Sequence, residues 1–191
     1  MGSQFDADGN LVNWWTPEDY ERFRALNDRV VRQYGAIEVL PGLFVDGQVT
    51  VTENVADLGG VQVAYQGLGH YLATRGQPPP AAAASPVASP LDGAAATPRG
   101  STPATPVASP TAVAAVAELT QEQRFFVAAA TVWREKIRDE LLETLVKTDT
   151  HAPVEIRATQ PIRNMDAFHE AFGTRPGDAM YLPPEERVAV W

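Results

Sequence analysis

Apolar side chains between Thr16 and Gly35 recur every three or four residues, which is the spacing of one face of an α-helix. The stripe consists of Phe23, Leu26, Val30 and Tyr34. Thr16 has a hydroxyl that can cap a helix N-terminus, Pro17 suits the first helical position, and Gly35 favours a helix end. The pattern predicts a helix from Pro17 to Gly35 that serves as scaffold.

A second helical pattern follows residues 39–51, which are typical of short extended segments joined by turns. Thr52 can cap this helix, and its apolar positions continue to about Ala73. Gly59 and Gly60 lie inside it at a cost of roughly 1 kcal/mol each relative to alanine. Such a cost predicts that another segment approaches closely at this glycine pair, a further helix being the natural candidate.

Helical periodicity returns at residue 120. Thr120 and Gln123 form a Thr-x-x-Gln capping box, which marks a helix N-terminus. Apolar residues then continue at helical spacing over about five turns. They are Phe126, Ala130, Trp133, Ile137, Leu141 and Leu145. We expect a single helix here, the longest element of the chain.

A shorter helix is predicted near the C-terminus. Asn164 can cap its N-terminus, and Gly173 favours its end. Phe168 and Phe172 give it an apolar face. His169 in the same helix has no evident partner in the sequence, so we expect it on the surface.

The composition changes abruptly between residues 78 and 118, where proline and alanine dominate and charges are almost absent. The sequence Pro-Val-Ala-Ser-Pro occurs there twice, at 86–90 and 106–110. A tract with no amphipathic period and few large apolar residues cannot bury enough surface to offset the entropy of ordering. We therefore expect a disordered Pro/Ala-rich insertion between two segments of one domain, residues 1–77 and 119–191. A proline-rich partner motif is the alternative to a tolerated insertion.

Charge and composition exclude several classes of function. A net charge of -9 and a pI near 4.8 argue against a nucleic-acid surface, which requires a basic patch. The chain has no cysteine and three histidines, so any metal must be bound by His, Asp or Glu. It contains no run of about eighteen apolar residues that could span a membrane, and its first residues lack the features of a signal peptide. These features leave the compartment open.

Two acidic residues on one face of the second predicted helix are the first candidates for chemistry. Glu53 and Asp57 are four residues apart, so their carboxylates project on the same side. An acidic first turn that complements the helix dipole is the simpler explanation. The interleaved apolar residues Val55, Leu58 and Val61 favour a site, because they place at least one carboxylate near buried surface. A carboxylate in that environment needs a cation.

The second candidate group follows the long predicted helix. His151 lies two residues after Asp149, and Arg157 follows six residues later. A lone histidine beside an aspartate in a loop is more often solvated than catalytic. Two cationic side chains in an otherwise acidic chain, directly after a rigid helix, favour a functional site.

The segment around the acidic pair resembles the zinc-ligand motif of the neprilysin-type zinc metallopeptidases, family M13. That motif, Glu-Asn-x-x-Asp-x-Gly-Gly, is matched by Glu53, Asn54, Asp57, Gly59 and Gly60. The second segment is similar to the family's Thr-Asp-x-His-x-Pro sequence, which has an arginine six residues after the histidine. His151 and Arg157 occupy these two positions.

Both ends of the chain also resemble this family. A Gly-x-x-Phe-Asp-x-x-Gly segment followed by two tryptophans is matched by Gly2, Phe5, Asp6, Gly9, Trp14 and Trp15. In the family this segment comes shortly after the second zinc histidine, so we expect the chain to begin just downstream of the catalytic helix. Residues 181–191 are similar to the family's C-terminus.

The resemblance implies a mainly α fold that is the C-terminal portion of a thermolysin-like zincin catalytic domain. The implied activity is that of a zinc-dependent metalloendopeptidase, which cleaves peptide substrates with metal-activated water. Glu53 would bind the zinc, and Asp57 would orient a zinc-bound histidine and assist catalysis. His151 would stabilise the oxyanion, and Arg157 would hold the substrate backbone.

The family's other zinc ligands and its general base come from a His-Glu-x-x-His helix, which this sequence does not contain. We therefore expect them in a missing N-terminal peptidase segment, and we expect this chain alone to be inactive. The alternatives are a non-catalytic binding or regulatory module, or one half of a split peptidase that pairs with a separate zinc-binding part.

Overall fold

Six α-helices, a two-stranded antiparallel sheet and a short 3-10 helix make up the part of the chain that the computed structural model describes, residues 4–78 and 119–190. The helices are α1 Pro17–Gly35, α2 Gly47–Thr74, α3 Gln121–Thr131, α4 Asp139–Thr148, α5 Val154–Arg163 and α6 Asp166–Phe172. The strands are β1 Glu38–Leu40 and β2 Leu43–Phe44, and the 3-10 helix is Pro184–Glu186. The predicted mainly α fold is confirmed. The predicted disordered insertion lies, apart from Pro78, outside the described residues.

Helix α1 has the predicted bounds. The hydroxyl of Thr16 accepts a hydrogen bond from the backbone N–H of Asp19, and Pro17 occupies the first turn. The helix buries Val30 and Tyr34 completely against α2 and α5. Its capping and its apolar stripe agree with each other, which is why the sequence predicts it well.

Helix α2 begins earlier than predicted, and the expected cap at Thr52 is wrong. The carboxylate of Asp46 accepts hydrogen bonds from the backbone N–H groups of Gln48 and Val49, so it satisfies two donors that a helix start leaves free. The first turn of α2 therefore contains no acidic residue. The acidic pair at Glu53 and Asp57 lies further along the helix, so a first-turn dipole effect does not explain it.

A close helix approach occurs at Gly47, and none within the described residues occurs at Gly60. A Cβ atom at Gly47 would lie 2.1 Å from the carbonyl oxygen of Val31 and 3.0 Å from the backbone nitrogen of Gly35. A Cβ atom at Gly60 would meet no other atom of the described residues within 4 Å. The described residues therefore supply no such approach at Gly60, whereas Gly47 lets α1 and α2 pack together.

The predicted long helix is two helices, α3 and α4, separated by residues 132–138. The capping box at Thr120 and Gln123 is present as predicted. Asp139 and Glu140 occupy the first turn of α4, where negative charge complements the helix dipole. The helical spacing of apolar residues continues across the break, so periodicity alone could not reveal it. Among the described elements, the longest is α2, with 28 residues.

Two hydrophobic clusters form the core. The first joins α1, α2, α5 and the C-terminal segment through Val30, Tyr34, Val45, Leu58, Ala152, Ile156 and Val188. The second joins α2, α3, α5 and α6 through Tyr65, Phe126, Ile162, Ala167 and Phe168. Because α2 and α5 contribute to both clusters, they hold a fixed relation to each other. No helix in residues 4–78 or 119–190 has the length and hydrophobicity needed to cross a membrane.

Asn164 does not cap α6 as predicted but follows the end of α5. Its buried amide donates to the carbonyl of Gln160 and to Gln33 of α1, and its side-chain oxygen accepts from the backbone N–H of Val188. These bonds tie α1, α5 and the C-terminal segment together. The predicted end of α6 at Gly173 is confirmed, with the glycine in the left-handed conformation at φ 60°.

The prediction that His169 lies on the surface is wrong. The ring is buried, and its two nitrogens contact the hydroxyl of Thr174 and the carbonyl oxygen of Arg163. Burial lowers the pKa of His169, and the nearby positive charge of Arg187 lowers it further, while the bond to the Arg163 carbonyl raises it. Both partners are close to His169 in sequence, but the contact with Thr174 forms only because the chain turns at Gly173.

We expect substitution of Gly47 by alanine to lower the free energy of unfolding by roughly 1–3 kcal/mol, because the new methyl group would overlap the backbone of Val31. Denaturant unfolding measures this change. The matched control is Gly60→Ala in the same helix, which meets open space and should stabilise by up to about 1 kcal/mol through helix propensity. Equal effects of the two substitutions would contradict the assigned helix contact.

The lowered pKa of His169 predicts a pH dependence of stability. The unfolded chain takes up a proton near the ordinary pKa of 6.5, whereas the folded chain resists protonation at this site, so stability is lost as the pH falls below about 6.5. The variant His169→Gln should show a shallower loss between about pH 7 and pH 5. An unchanged slope in His169→Gln would contradict this assignment.

Candidate active site

The carboxylate of Asp57 and the guanidinium of Arg157 form a two-point ion pair between α2 and α5. The Nε atom of Arg157 donates to Oδ2 of Asp57 at 2.7 Å, and Nη2 donates to Oδ1 at 2.9 Å. The side chains are 16% and 17% exposed, so the pair is largely shielded from water. This pairing raises the pKa of Arg157 further, so the group stays charged.

Glu53, one turn before Asp57 on the same face of α2, contacts His151. Its Oε2 atom lies 3.2 Å from Nε2 of His151. On the other side of the ring, Nδ1 lies 2.8 Å from Oδ1 of Asp149. The imidazole is thus held between two carboxylates, with about two-fifths of each of the three side chains exposed.

Asp149 shapes the loop that carries His151. Its Oδ1 atom also accepts a hydrogen bond from the backbone N–H of His151 at 2.9 Å, so one oxygen binds both the backbone and the ring. These bonds lower the pKa of Asp149 and keep the carboxylate ionised. Asp149 lies two residues before His151 in the sequence, but its orienting contact was not predicted.

Trp133 is a second residue whose contribution was missed. It was expected in a helical core stripe, but it lies in the segment between α3 and α4, with its ring under the guanidinium of Arg157. The guanidinium carbon is 3.9 Å from the ring centroid, within the range of a cation–π contact. Arg157 is therefore fixed by a carboxylate at its edge and an aromatic ring on its face.

An open groove of about 460 Å³ runs beside this ion pair. Small side chains form much of its wall, namely Ala56, Gly60 and Ala64 of α2 and Ala128 and Ala129 of α3. Asp57, Trp133 and Arg157 lie at the same groove. The arrangement can accommodate an apolar group next to a fixed cation.

The four predicted site residues thus lie together. Residues 53 and 57 come from one helix and residues 151 and 157 from a segment about 100 positions later, yet Glu53 contacts His151 and Asp57 contacts Arg157. Asn54, which lies between the two acids in the sequence of α2, packs in the interior next to them. Asn54 is buried and donates to the hydroxyl of Thr50, while its side-chain oxygen has no hydrogen-bond partner in the described part of the chain.

The described residues do not form a complete zinc site. A zinc ion in a hydrolytic site needs three protein ligands that leave one position open. No group of three or more His, Asp or Glu side chains in residues 4–78 and 119–190 could hold a metal ion. Glu53 could contribute one carboxylate ligand, and further ligands would have to come from residues outside the described part.

The mainly α fold agrees with that of solved zinc proteases of the zincin type. The family model Peptidase family M13 matches residues 1–81 and 105–188. The chain therefore belongs to peptidase family M13, and the resemblance to neprilysin-type enzymes is confirmed.

Known relatives agree with this assignment. The neutral endopeptidase of Lactococcus lactis subsp. lactis is 28% identical over 191 residues, which are 100% of this chain and 23% of the relative. Human neprilysin is 29% identical over 192 residues, or 21% of its length. A cryo-EM structure of the Mycobacterium tuberculosis zinc metalloprotease ZMP1 in an open state has a TM-score of 0.70 and 32% identity, covering 100% of this chain and 25% of that one. The chain thus spans about a quarter or less of the length of these relatives.

The ion pair between α2 and α5 predicts a large effect of its removal. We expect Arg157→Met, which keeps the aliphatic stem but removes every donor, to lower the free energy of unfolding by roughly 3 kcal/mol because Asp57 loses its partner in a poorly hydrated position. Denaturant unfolding measures the loss. Lys147→Met removes the exposed pair with Glu143 and should change stability little. A comparably small effect at both positions would contradict the predicted contribution of the Asp57–Arg157 pair to the free energy of unfolding.

Proposed function

We propose that this chain contributes the substrate-facing part of a zinc-dependent metalloendopeptidase and that it is inactive without a further segment. The observation that carries the proposal is the direct contact between two motifs that are distant in the sequence. Glu53 contacts His151, and Asp57 contacts Arg157, although the two motifs lie about 100 residues apart. A chance match to either motif would not require these contacts.

Each of the four side chains has a role that fits its surroundings. Glu53 offers a partly exposed carboxylate as one zinc ligand, and Asp57 on the same face orients a histidine ligand from the missing segment. The Nε2 atom of His151, which faces Glu53 in this arrangement, would donate its N–H to the oxygen of the scissile carbonyl once Glu53 binds zinc. Arg157 binds the peptide backbone from its fixed place over Trp133. Zinc, when bound, lowers the pKa of a water molecule and polarises the peptide carbonyl.

The outer face of α2 supports the need for a second segment. Val49, Val63 and Tyr71 are 50%, 58% and 53% exposed, and Gly60 and Gly67 lie on the same exposed side. A helix that is apolar on both faces is normally covered on both. The relatives have three-quarters or more of their length beyond the matched part, which is enough to supply that cover. This face favours one half of a split or longer peptidase over a self-sufficient binding module.

We expect the purified chain alone to retain much less than one zinc ion per molecule and to cleave no peptide. Addition of the unmatched part of the Lactococcus lactis neutral endopeptidase, expressed separately, should yield zinc retention and peptide cleavage. Metal analysis after gel filtration and a fluorogenic peptide assay measure the two quantities. Stoichiometric zinc together with turnover by the chain alone would overturn the proposed inactivity.

The variant Glu53→Gln tests the proposed ligand in the same assembly. It should weaken zinc binding by more than about 10-fold, the effect known even for residues that only support a ligand. The exposed Glu140 of α4 supplies the control, since Glu140→Gln should leave zinc binding unchanged. Full zinc retention by Glu53→Gln would exclude Glu53 as a ligand, whatever the activity.

A further inference from the structure

Tyr34 of α1 is buried beneath the candidate site, and its hydroxyl lacks a partner. The side chain is 1% exposed and packs in the core cluster that contains Leu58 of α2 and Ile156 of α5. Its hydroxyl has no hydrogen-bond partner in residues 4–78 and 119–190. A buried hydroxyl without a partner costs folding free energy, so its presence calls for a reason.

The hydroxyl lies in the electrostatic field of the Asp57–Arg157 pair. Burial raises the pKa of Tyr34 strongly, the negative charge of Asp57 raises it further, and the positive charge of Arg157 lowers it. The phenol therefore stays neutral and keeps its proton, and its ring packs with Leu58 and Ile156, which are adjacent in sequence to Asp57 and Arg157. In the present arrangement both oxygens of Asp57 accept from Arg157, at 2.7 and 2.9 Å, and neither needs the phenol.

We propose that Tyr34 is a positioning residue that donates a hydrogen bond to Asp57 when Arg157 releases this carboxylate. The proposal rests on the proposed function in one respect, because Arg157 would release the Asp57 carboxylate when it binds a peptide backbone. The hydroxyl of Tyr34 then keeps Asp57 hydrogen-bonded and pointing into the cleft. Without it, a poorly hydrated carboxylate would lose its partners or turn away.

A purely structural role of Tyr34 predicts different behaviour. If the ring only fills the core, removal of the hydroxyl has the same effect whether Arg157 is present or absent. If the hydroxyl serves as the second donor to Asp57, its removal matters only where Arg157 no longer binds the carboxylate. A double-mutant cycle between Tyr34→Phe and Arg157→Met separates these two cases.

In the otherwise unchanged chain, Tyr34→Phe should leave the thermal unfolding midpoint unchanged or raise it slightly. In the Arg157→Met background, the same substitution should lower the midpoint by about 2–4 °C, which is the shift expected for one hydrogen bond in a chain of this size. Arg157→Lys, which cannot bind both oxygens of Asp57 in the same way, provides a milder background if Arg157→Met fails to fold. An identical effect of Tyr34→Phe in every background would overturn the proposal.

Two controls assign the effect to Asp57. Tyr65→Phe, at a buried tyrosine of the other core cluster, should shift the midpoint equally with and without Arg157. Adding Asp57→Ala to Arg157→Met should abolish the penalty of Tyr34→Phe, since the acceptor is gone. A penalty that persists there would also contradict the proposal. The cycle needs neither zinc nor turnover, so its failure is distinguishable from failure of the proposed peptidase function.

Discussion

The ion pair between Asp57 and Arg157 is the contact on which the arrangement of the site depends. It joins α2 to α5 at two points, with both side chains largely shielded from water. A pair in that position holds its elements together chiefly because loss of either partner leaves the other charge poorly solvated. The core below, where Leu58 and Ile156 pack in one cluster, sets the distance that the pair spans.

The position of His151 follows from this constraint. The loop that carries it ends at Pro153, directly before α5, and Ala152 is buried in the first core cluster. Asp149 binds the backbone and the ring of His151 through one oxygen, so the ring has little freedom to turn. Once Arg157 fixes α5 against α2, the imidazole comes within 3.2 Å of Glu53. The contact between Glu53 and His151 is thus a geometric consequence of the ion pair between Asp57 and Arg157.

Local signals in the sequence predicted those features that local contacts determine. The caps at Thr16 and Thr120 and the helix end at Gly173 were predicted because the residues that make them lie within a few positions of each other. The two motifs of the site were found through the family resemblance. Features that depend on distant partners were missed, such as the link of Asn164 to Val188 and the stacking of Trp133 on Arg157. Their residue types fit several local roles, and only the tertiary contact selects one.

The distribution of apolar residues around α2 explains why this helix carries the site. One face packs on α1 and α5, and the opposite face keeps Val49, Val63 and Tyr71 half exposed. Glu53 and Asp57 lie between the two faces, where His151 and Arg157 of the same chain contact them from one side while the other side stays open. Their carboxylates are therefore oriented by Arg157 and His151 before any other segment binds, so a partner would meet a preorganised surface and lose less entropy on binding.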